Sequence, residues 1–465
     1  MLGLKNLFNE QDDVQGIIAG VDEGLREQLV TGLSGSARTL FLASVYEKTK
    51  KPMLIVTHNL LQAQKLFDDL VRVIGEEEVF LYPVNELIGA EISVASPELK
   101  AQRIDVLNRL SNQPNGITVV PIAGIRKMVT PPTVWKRYQH TLKVGKEINI
   151  NDQLIQLVEM GYVRTEMITT PGEFSVRGGI IDIFPLTEEN PYRVELFDTE
   201  IDSIRTFSLD DQRSIEKCKE ITLGPATEMP LQKDQFDQLI EKLEIGLQDS
   251  LKKIKDNNVK TLLVQNISSE LEQLRNHQKP EQAFKYLSIA FDQASSLIDY
   301  FPKNTILFID EISRVQEMND SLAKEEAGWY TSLLSEGNMI HGIKLAHSLP
   351  ELITRLKLPV VYLSLFLRHV PNTNPQNIIN IACKQMQDFH GQMNVLKGEI
   401  ERWRKSHYSI VFLGSDEERV KKLERVLLDY DIEATITSGQ HLQNGRVQIV
   451  NGDLLSGFEL SGQKV

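Results

Sequence analysis

The sequence has 465 residues, of which 41% are hydrophobic and 25% are charged, a balance typical of folded proteins that excludes extensive disorder. Its 51 basic and 64 acidic side chains give a formal net charge of −13, which excludes a global electrostatic attraction to nucleic acid. The length predicts roughly three domains. Because no stretch reaches the ~18 apolar residues of a membrane span, and no signal sequence is recognisable, we expect a cytoplasmic protein without membrane contact.

The first part of the chain has the order strand, glycine-rich loop, helix, strand. An apolar run at 28–31 leads into the loop at 32–39, and a helical segment at 40–46 and a strand-like run at 53–56 follow. Apolar residues at helical spacing between Ala63 and Ile74 predict a further helix. We therefore expect parallel βα units, in a discontinuous domain formed by residues 1–132 and 214–383.

A separate α+β insert is predicted for residues 133–213. Asn151 is placed to cap a helix. The apolar stripe of this helix is predicted to be Leu154, Ile155, Leu157 and Val158. β-rich stretches separated by turn residues, as in a meander, are predicted to follow at 174–184, 192–197 and 201–207.

After the insert the α/β domain resumes, with an apolar strand at 305–309 that ends in Asp310-Glu311. A helical connector is predicted at 384–404 and a small α/β domain at 405–465. The two cysteines, Cys218 and Cys383, are far apart in the sequence. They are predicted to be buried thiols rather than parts of a disulfide framework or a zinc site.

The glycine-rich loop has the frame of a nucleotide-binding P-loop but lacks two of its four fixed residues. In the motif GxxxxGK[ST], backbone amides surround the phosphates, and the lysine and hydroxyl residues contact phosphate and magnesium. The positions in this frame are Gly32, Gly35, Ala37, Arg38 and Thr39, with Ala37 replacing the second glycine and Arg38 the lysine. Two interpretations remain open here: a turn that merely joins strand to helix, or a loop with weak residual nucleotide binding.

Asp310 and Glu311 follow an apolar strand, as the acidic residues of a Walker B motif do when they hold magnesium and polarise water. Such a pair alone is common by chance. Together with the glycine loop on the other side of an insert, it favours a decayed nucleotide hydrolase. The predicted fold class is α/β: a degenerate P-loop domain of RecA or helicase type, an inserted α+β domain, and a small α/β domain.

Alternating polar residues mark one strand of the insert. Arg193 and Glu195 project from the same face, because side chains alternate along a strand. Arg177 precedes the turn before the next strand and Arg164 lies in the lead-in, and we expect both to converge on that face. The face is either ordinary solvated surface or a recognition patch in which arginines make bidentate contacts to carboxylates.

Several of these motifs resemble the amino-terminal part of the bacterial transcription-repair coupling factors, the Mfd family, which is similar in turn to the excision-repair protein UvrB. The resemblance extends from about residue 10 to Glu459. Its motifs are the run 33–39, Tyr82-Pro83, Pro97-Glu98 with Arg103, the run 174–185 and the run 193–197. The part from Phe174 to Phe197 is the most specific.

The resemblance implies a helicase-like domain without ATPase activity and an inserted domain that binds UvrA. The UvrA-contacting positions of the family fall on Arg164, Arg177, Arg193 and Glu195, with Phe184 in the supporting strand. No catalytic residue, metal site or cofactor is expected in this chain, which resembles a fragment. ATP and Mg²⁺, and the contacts to RNA polymerase and DNA, are implied for the carboxyl-terminal part of the full-length protein.

Two departures from UvrB bear on this resemblance. UvrB has arginine where this chain has Ser175, so an identical set of contacts is not implied. The segment between Tyr82 and Arg103 is short, whereas UvrB carries there an aromatic-rich hairpin that clamps damaged DNA. Without stacking aromatics, no damage-locking mechanism is expected.

Recruitment of UvrA, which links arrested RNA polymerase to excision repair, is therefore the favoured function. The competing hypothesis is an active nucleotide hydrolase or helicase that binds ATP through Thr39 and Asp310. Ala37 and Arg38 oppose it, because a Cβ crowds the loop and arginine is no compact substitute for lysine. A third interpretation is an internal brake, in which the carboxyl-terminal part of the full-length protein covers the UvrA patch.

Overall fold

The computed structural model describes residue 4 and residues 7–8, 12–86, 96–280, 282–291, 295–355, 357–369, 373–439 and 441–465. Residues 87–95, within the shortened segment discussed above, lie outside this range. Among the described helices, none combines the length and the apolar character needed to cross a bilayer.

The first part of the chain forms the predicted βα units. Its strands are β1 (Glu27–Thr31), β2 (Met53–Thr57), β3 (Val79–Leu81) and β4 (Ile117–Pro121). Its helices are α1 (Asp12–Asp22), α2 (Ala37–Thr49), α3 (Leu60–Ile74), α4 (Pro97–Asn112), α5 (Ile122–Arg126) and α6 (Pro132–Arg137). Side chains cap the amino-terminal ends of two of these helices: Asn59 accepts a hydrogen bond from a backbone N–H of α3, and Ser96 accepts one from a backbone N–H of α4.

The insert contains two mainly antiparallel sheets and the helix α7 (Ile150–Glu159). Its strands are β5 (His140–Lys143), β6 (Val163–Arg164), β7 (Glu173–Arg177), β8 (Ile180–Ile183), β9 (Tyr192–Phe197), β10 (Glu200–Phe207), β11 (Ser214–Cys218) and β12 (Glu220–Leu223). Six of them form one sheet in the order β11-β10-β9-β8-β7-β6, and β12 pairs separately with β5.

The structure corrects several expectations for the insert. Its sheets continue beyond residue 213, because β11 pairs with β10 and β12 with β5. The exposed edge strand β11 has no apolar alternation that would have revealed it. Helix α7 is capped by Asn149 rather than Asn151, and of its predicted apolar stripe Ile155 and Val158 are exposed. The β-rich run 174–184 forms the hairpin of β7 and β8, with the turn after Arg177 that the sequence indicates.

After the insert, the chain forms a helical unit with its own core and further strands of the main sheet. The helices are α8 (Lys233–Lys253), α9 (Asn257–Arg275), α10 (Leu287–Ala290), α11 (Ile312–Ser335) and α12 (Leu349–Arg355). The strands are β13 (Ile306–Asp310), β14 (Val360–Ser364) and β15 (Asn377–Asn380). Leu239 and Leu243 of α8 share a buried core with Leu263 and Ile267 of α9, which joins the two helices.

The main sheet has seven strands in the order β15-β1-β14-β13-β2-β4-β3, and all of its strand pairs are parallel. Both faces are covered, as expected for a parallel sheet: Ile55 belongs to the core on one face and Leu54 to the core on the other. Because the carboxyl ends of parallel strands lie at one edge, the glycine loop after β1 and Asp310 at the end of β13 meet there.

The last part is a small α/β unit. Its elements are β16 (Cys383–Gln385), α13 (Met393–Lys405), β17 (Ile410–Gly414), α14 (Glu417–Asp429), β18 (Thr435–Thr437), β19 (Val447–Asn451) and β20 (Phe458–Leu460). Helix α13, predicted as a connector, packs Ile400 and Trp403 into the core of this unit. Both cysteines are half-buried rather than buried, and neither is in a disulfide.

Candidate functional site

One face of the insert sheet carries paired charges. The strand registers place Arg177 of β7, Asp182 of β8, Arg193 and Glu195 of β9, and Arg205 of β10 on the same side, because residues directly opposite each other in a sheet share a face. We call these five residues the polar face. The opposite side of the sheet is apolar and buried. The predicted alternation along β9 is therefore present in the structure.

Asp182 is the centre of the polar face. Its side chain is only 1% exposed, and it accepts hydrogen bonds from Arg193 Nε at 2.7 Å, Arg193 Nη2 at 2.9 Å and Arg177 Nη2 at 3.0 Å. A buried carboxylate of this kind requires such partners, since charge is costly to remove from water. Asp182 therefore holds two of the predicted arginines in place.

The two arginines differ in accessibility. Arg193 is 13% exposed, its guanidinium lies 4.2 Å from the ring centre of Phe207, and Nη2 also donates to Gln212. The hydrogen bonds to Asp182, opposed by partial burial, raise the pKa of Arg193. Arg177 is 53% exposed and donates one hydrogen bond to Asp182. Arg177 is thus the better placed of the two to contact another molecule.

Glu195 is held by a second internal ion pair. Its carboxylate accepts from Arg205 Nη2 at 2.6 Å and from Ser203 Oγ at 2.7 Å. Neither Arg205 nor Asp182 was predicted from the sequence. The sequence signal for Asp182 is that it is the one carboxylate in the apolar run 180–183. The register of β8 against β9 places it opposite Arg193.

Arg164 does not converge on the polar face. In the parallel pair of β6 and β7, Arg164 lies opposite Phe174, which points into the core. Its side chain lines a cavity on that other side of the sheet, together with Phe174. The expected convergence was wrong because the alternation cannot be counted across the irregular segment that separates β6 from β7.

Phe184 directly follows β8 rather than lying within it. Its backbone N–H still donates to Glu173 O at 2.9 Å, and its ring packs in a small cluster with Ile168 and Phe207. The Arg193 guanidinium packs over the ring of Phe207, so Phe184 supports the polar face through Phe207. Ser175, where UvrB has arginine, is buried on β7, and its hydroxyl has no hydrogen-bond partner among the described residues.

The glycine loop is filled by the protein's own side chains. Arg38 is paired with Asp310, and its Nη2 donates to Glu311 Oε1 at 2.7 Å and to Leu33 O at 3.0 Å. Burial opposes the charge of Arg38, but the two carboxylates outweigh it and raise the pKa of the guanidinium. The two predicted motifs therefore meet in space, and Arg38 pairs with both carboxylates.

The small unit covers the same loop. Thr39 Oγ1 donates to Asp69 Oδ2 at 2.8 Å, and Asp69 Oδ1 accepts the backbone N–H of Leu455 at 2.8 Å. The backbone N–H of Ser456 donates to Ser36 Oγ at 3.1 Å. Gly35 has a φ of 53°, and a Cβ there would lie 2.8 Å from Ser456 Oγ, so glycine is required by this contact.

Side chains that contact phosphate or magnesium in an intact motif have internal partners here. The hydroxyl of Thr39 and Oδ1 of Asp310 have protein partners, whereas Oδ2 of Asp310 has no hydrogen-bond partner among the described residues. Within the described part of the chain, no group of three or more His, Cys, Asp or Glu side chains is placed to hold a metal ion.

The polar face lies in a stretch of the sequence that matches a known protein family. Residues 141–229 match the family described as the UvrB interaction domain. The chain is 51% identical over 466 residues to the transcription-repair-coupling factor of Bacillus subtilis (strain 168), which covers 100% of this chain and 40% of that protein. It is 34% identical over 438 residues to the corresponding protein of Staphylococcus aureus (strain MRSA252), covering 94% and 37%. The chain thus spans about 40% of the length of these relatives, and the predicted resemblance is confirmed.

Proposed function

The chain is related along its whole length to the transcription-repair-coupling factors, and on that basis we propose that it recruits UvrA through its inserted domain. One observation carries the proposal: the residues that match the UvrB interaction domain, 141–229, include all five residues of the polar face. In the proposed complex this face docks on UvrA, and the contact links arrested transcription to nucleotide excision repair.

The chemistry of the polar face suits a partner that presents carboxylates. Arg177, Arg193 and Arg205 outnumber Asp182 and Glu195, so the face has a small excess of positive charge. Arg193 is fixed before any partner arrives, which lowers the entropy lost on binding. Arg177 is exposed and supplies the planar donors that bind carboxylates in pairs. In this proposal Arg193, Glu195 and Asp182 shape the face, and Arg177 makes the strongest new contact.

We further propose that residues 32–39 are a decayed phosphate loop in a RecA-like or helicase-like domain without ATPase activity. The support is local: Arg38 lies between Asp310 and Glu311, and Thr39 is bound to Asp69. A nucleotide with magnesium would need these groups free. The alternative, a hydrolase that uses Thr39 and Asp310, is not favoured.

The other activities implied by the resemblance are proposed for the remainder of the longer relatives. These are the contact to RNA polymerase, ATP- and Mg²⁺-driven movement on DNA, and a covering contact on the UvrA patch. We also propose a cytoplasmic location, which fits this set of partners.

The proposal is tested by mixing the full chain with purified UvrA and measuring co-migration by size-exclusion chromatography. We expect a complex with the parent chain and its loss on the charge reversal Arg177→Glu, because a partner carboxylate would then face a like charge. Failure of the parent chain to form any complex would contradict the proposal.

A further inference from the structure

A groove runs between the insert and the helical unit. It lies between α7, the short strand β6 and the amino-terminal turn of α8, and it encloses a volume of about 380 Å³. We call it the junction groove and define it by Ile155, Val158, Arg164, Lys233, Phe236 and Lys279. It lies on the side of the insert sheet opposite the polar face, because Arg164 shares the side of Phe174.

The floor of the junction groove is apolar although it is open to solvent. Helix α7 turns Leu157 into the insert core, yet Ile155 on its other side is 60% exposed and Val158 is also exposed. Both line the groove together with Phe236. Large apolar side chains exposed side by side in a concave surface are typical of a place where another molecule binds.

The rim of the junction groove carries Arg164, Lys233 and Lys279, which differ in their internal partners. Among the described residues, the guanidinium of Arg164 and the ammonium of Lys233 form no hydrogen bond or ion pair, in contrast to Arg177, Arg193 and Arg205. Lys279 Nζ donates to the carbonyl of Met229 at 3.0 Å.

The charge balance of the groove favours an anionic group. One carboxylate, Glu159, lines it against Arg164, Lys233 and Lys279, and burial, reinforced by Asp234, raises the pKa of that carboxyl. Burial and the nearby Lys100 lower the pKa of Lys279 to about 7. A carboxylate that enters the groove would therefore fix the charged form of Lys279.

We propose that the junction groove is a second docking site, which takes a segment of a protein partner that carries a large apolar side chain flanked by carboxylates. The apolar side chain would cover Ile155 and Val158, and the carboxylates would pair with Arg164 and Lys233. The apolar floor selects the large apolar side chain of this segment, and the cationic rim selects its carboxylates.

The groove and the polar face meet at one edge of the insert sheet, because β6 pairs directly with β7, which carries Arg177. A partner bound to the polar face can reach the groove around this short edge. The inference therefore rests on the proposed function and assigns the segment to UvrA.

The test is to titrate UvrA by calorimetry into four forms of the full chain: the parent, Ile155→Asp, Arg177→Glu and the control Leu428→Asp. Leu428 is a matched position, since it is 62% exposed on a helix of the small unit. We expect Ile155→Asp to weaken binding at least about tenfold at unchanged Tm, and Leu428→Asp to bind as the parent does. A second measurement uses the fluorescence of 1-anilinonaphthalene-8-sulfonate, an anion with apolar aromatic rings. We expect one binding site for this dye to be lost in Ile155→Asp and kept in Arg177→Glu.

The outcomes separate the two proposals. If Arg177→Glu loses UvrA and Ile155→Asp binds as the parent does, the groove inference is overturned and the proposed function stands. If Ile155→Asp weakens binding and Arg177→Glu does not, the groove is supported and the polar face is not. If the parent binds UvrA and neither variant is weakened, both are overturned.

Discussion

Arg193 lies directly opposite Asp182 on the neighbouring antiparallel strand, and its guanidinium binds both carboxylate oxygens, at 2.7 and 2.9 Å. An arginine that family resemblance assigns to a partner contact is thus also part of the architecture of its own domain. Its substitution changes both folding and binding, so the two effects must be measured separately.

Replacing Arg193 with alanine should destabilise the protein, whereas Arg177→Ala should not. The first change leaves Asp182 buried with a single arginine partner, and breaking a buried pair of this kind costs about 3 to 5 kcal/mol. Arg177 is more than half exposed, so its loss should cost less than about 1 kcal/mol. Urea denaturation of the two variants measures the difference. Equal losses would show that Asp182 does not depend on Arg193.

Phe184→Ala should lower stability and disturb the polar face. The ring is buried against Ile168 and Phe207, and removing such a ring typically costs about 3 to 5 kcal/mol. Because Phe207 also carries Arg193, we expect UvrA affinity to fall as well. Phe197→Ala is the control, since Phe197 is a phenylalanine exposed at the end of β9. Equal Tm values for the two variants would contradict this role of Phe184.

The chain should show no ATP turnover above background, and the double substitution Ala37→Gly with Arg38→Lys should not restore it. The restored residues would still leave Thr39 bound to Asp69 and the loop covered by Ser456. A coupled phosphate-release assay measures this. Turnover of about 1 per second or faster, typical of competent enzymes, would favour the hydrolase alternative.

Arg38→Ala should destabilise the main domain in a way that depends on pH. Burial raises the pKa of Asp310, and Arg38 opposes that shift. In the variant Asp310 is buried without this counterion, and a group with a raised folded pKa destabilises increasingly as pH rises through that pKa. The stability deficit relative to the parent should therefore be largest near neutral pH and shrink as the pH falls. A deficit that does not vary with pH would show that Asp310 is not its source.

Much of the fold follows from local sequence signals. The buried strand β2 and the amphipathic helix α3 are predicted by their composition and by the spacing of their apolar residues. The shared face of Arg193 and Glu195 follows from the two-residue period of a strand. The internal partners of these two residues could not be derived, because they depend on how β8 and β10 are registered against β9. A register error of one residue would place Asp182 in the core.

Two further features depend on contacts that are distant in sequence. The exposure of Ile155 arises because the helical unit leaves a groove beside α7, which no property of α7 itself reveals. The cover over the glycine loop comes from Ser456, 420 residues after Ser36. The sequence showed that the loop lacks two motif residues, but not that other parts of the chain fill it.

The most direct test of UvrA recruitment is a calorimetric titration of UvrA into the parent chain, Arg177→Ala and Arg402→Ala. Arg402 is a matched control, since it is also an exposed arginine with one acidic partner, on α13 of the small unit. We predict that Arg177→Ala weakens binding by about 2 to 5 kcal/mol, because it leaves a partner carboxylate desolvated and unpaired, while its Tm and the affinity of Arg402→Ala stay at the parent values. Affinities that are the same for all three chains would contradict the claim that the polar face recruits UvrA.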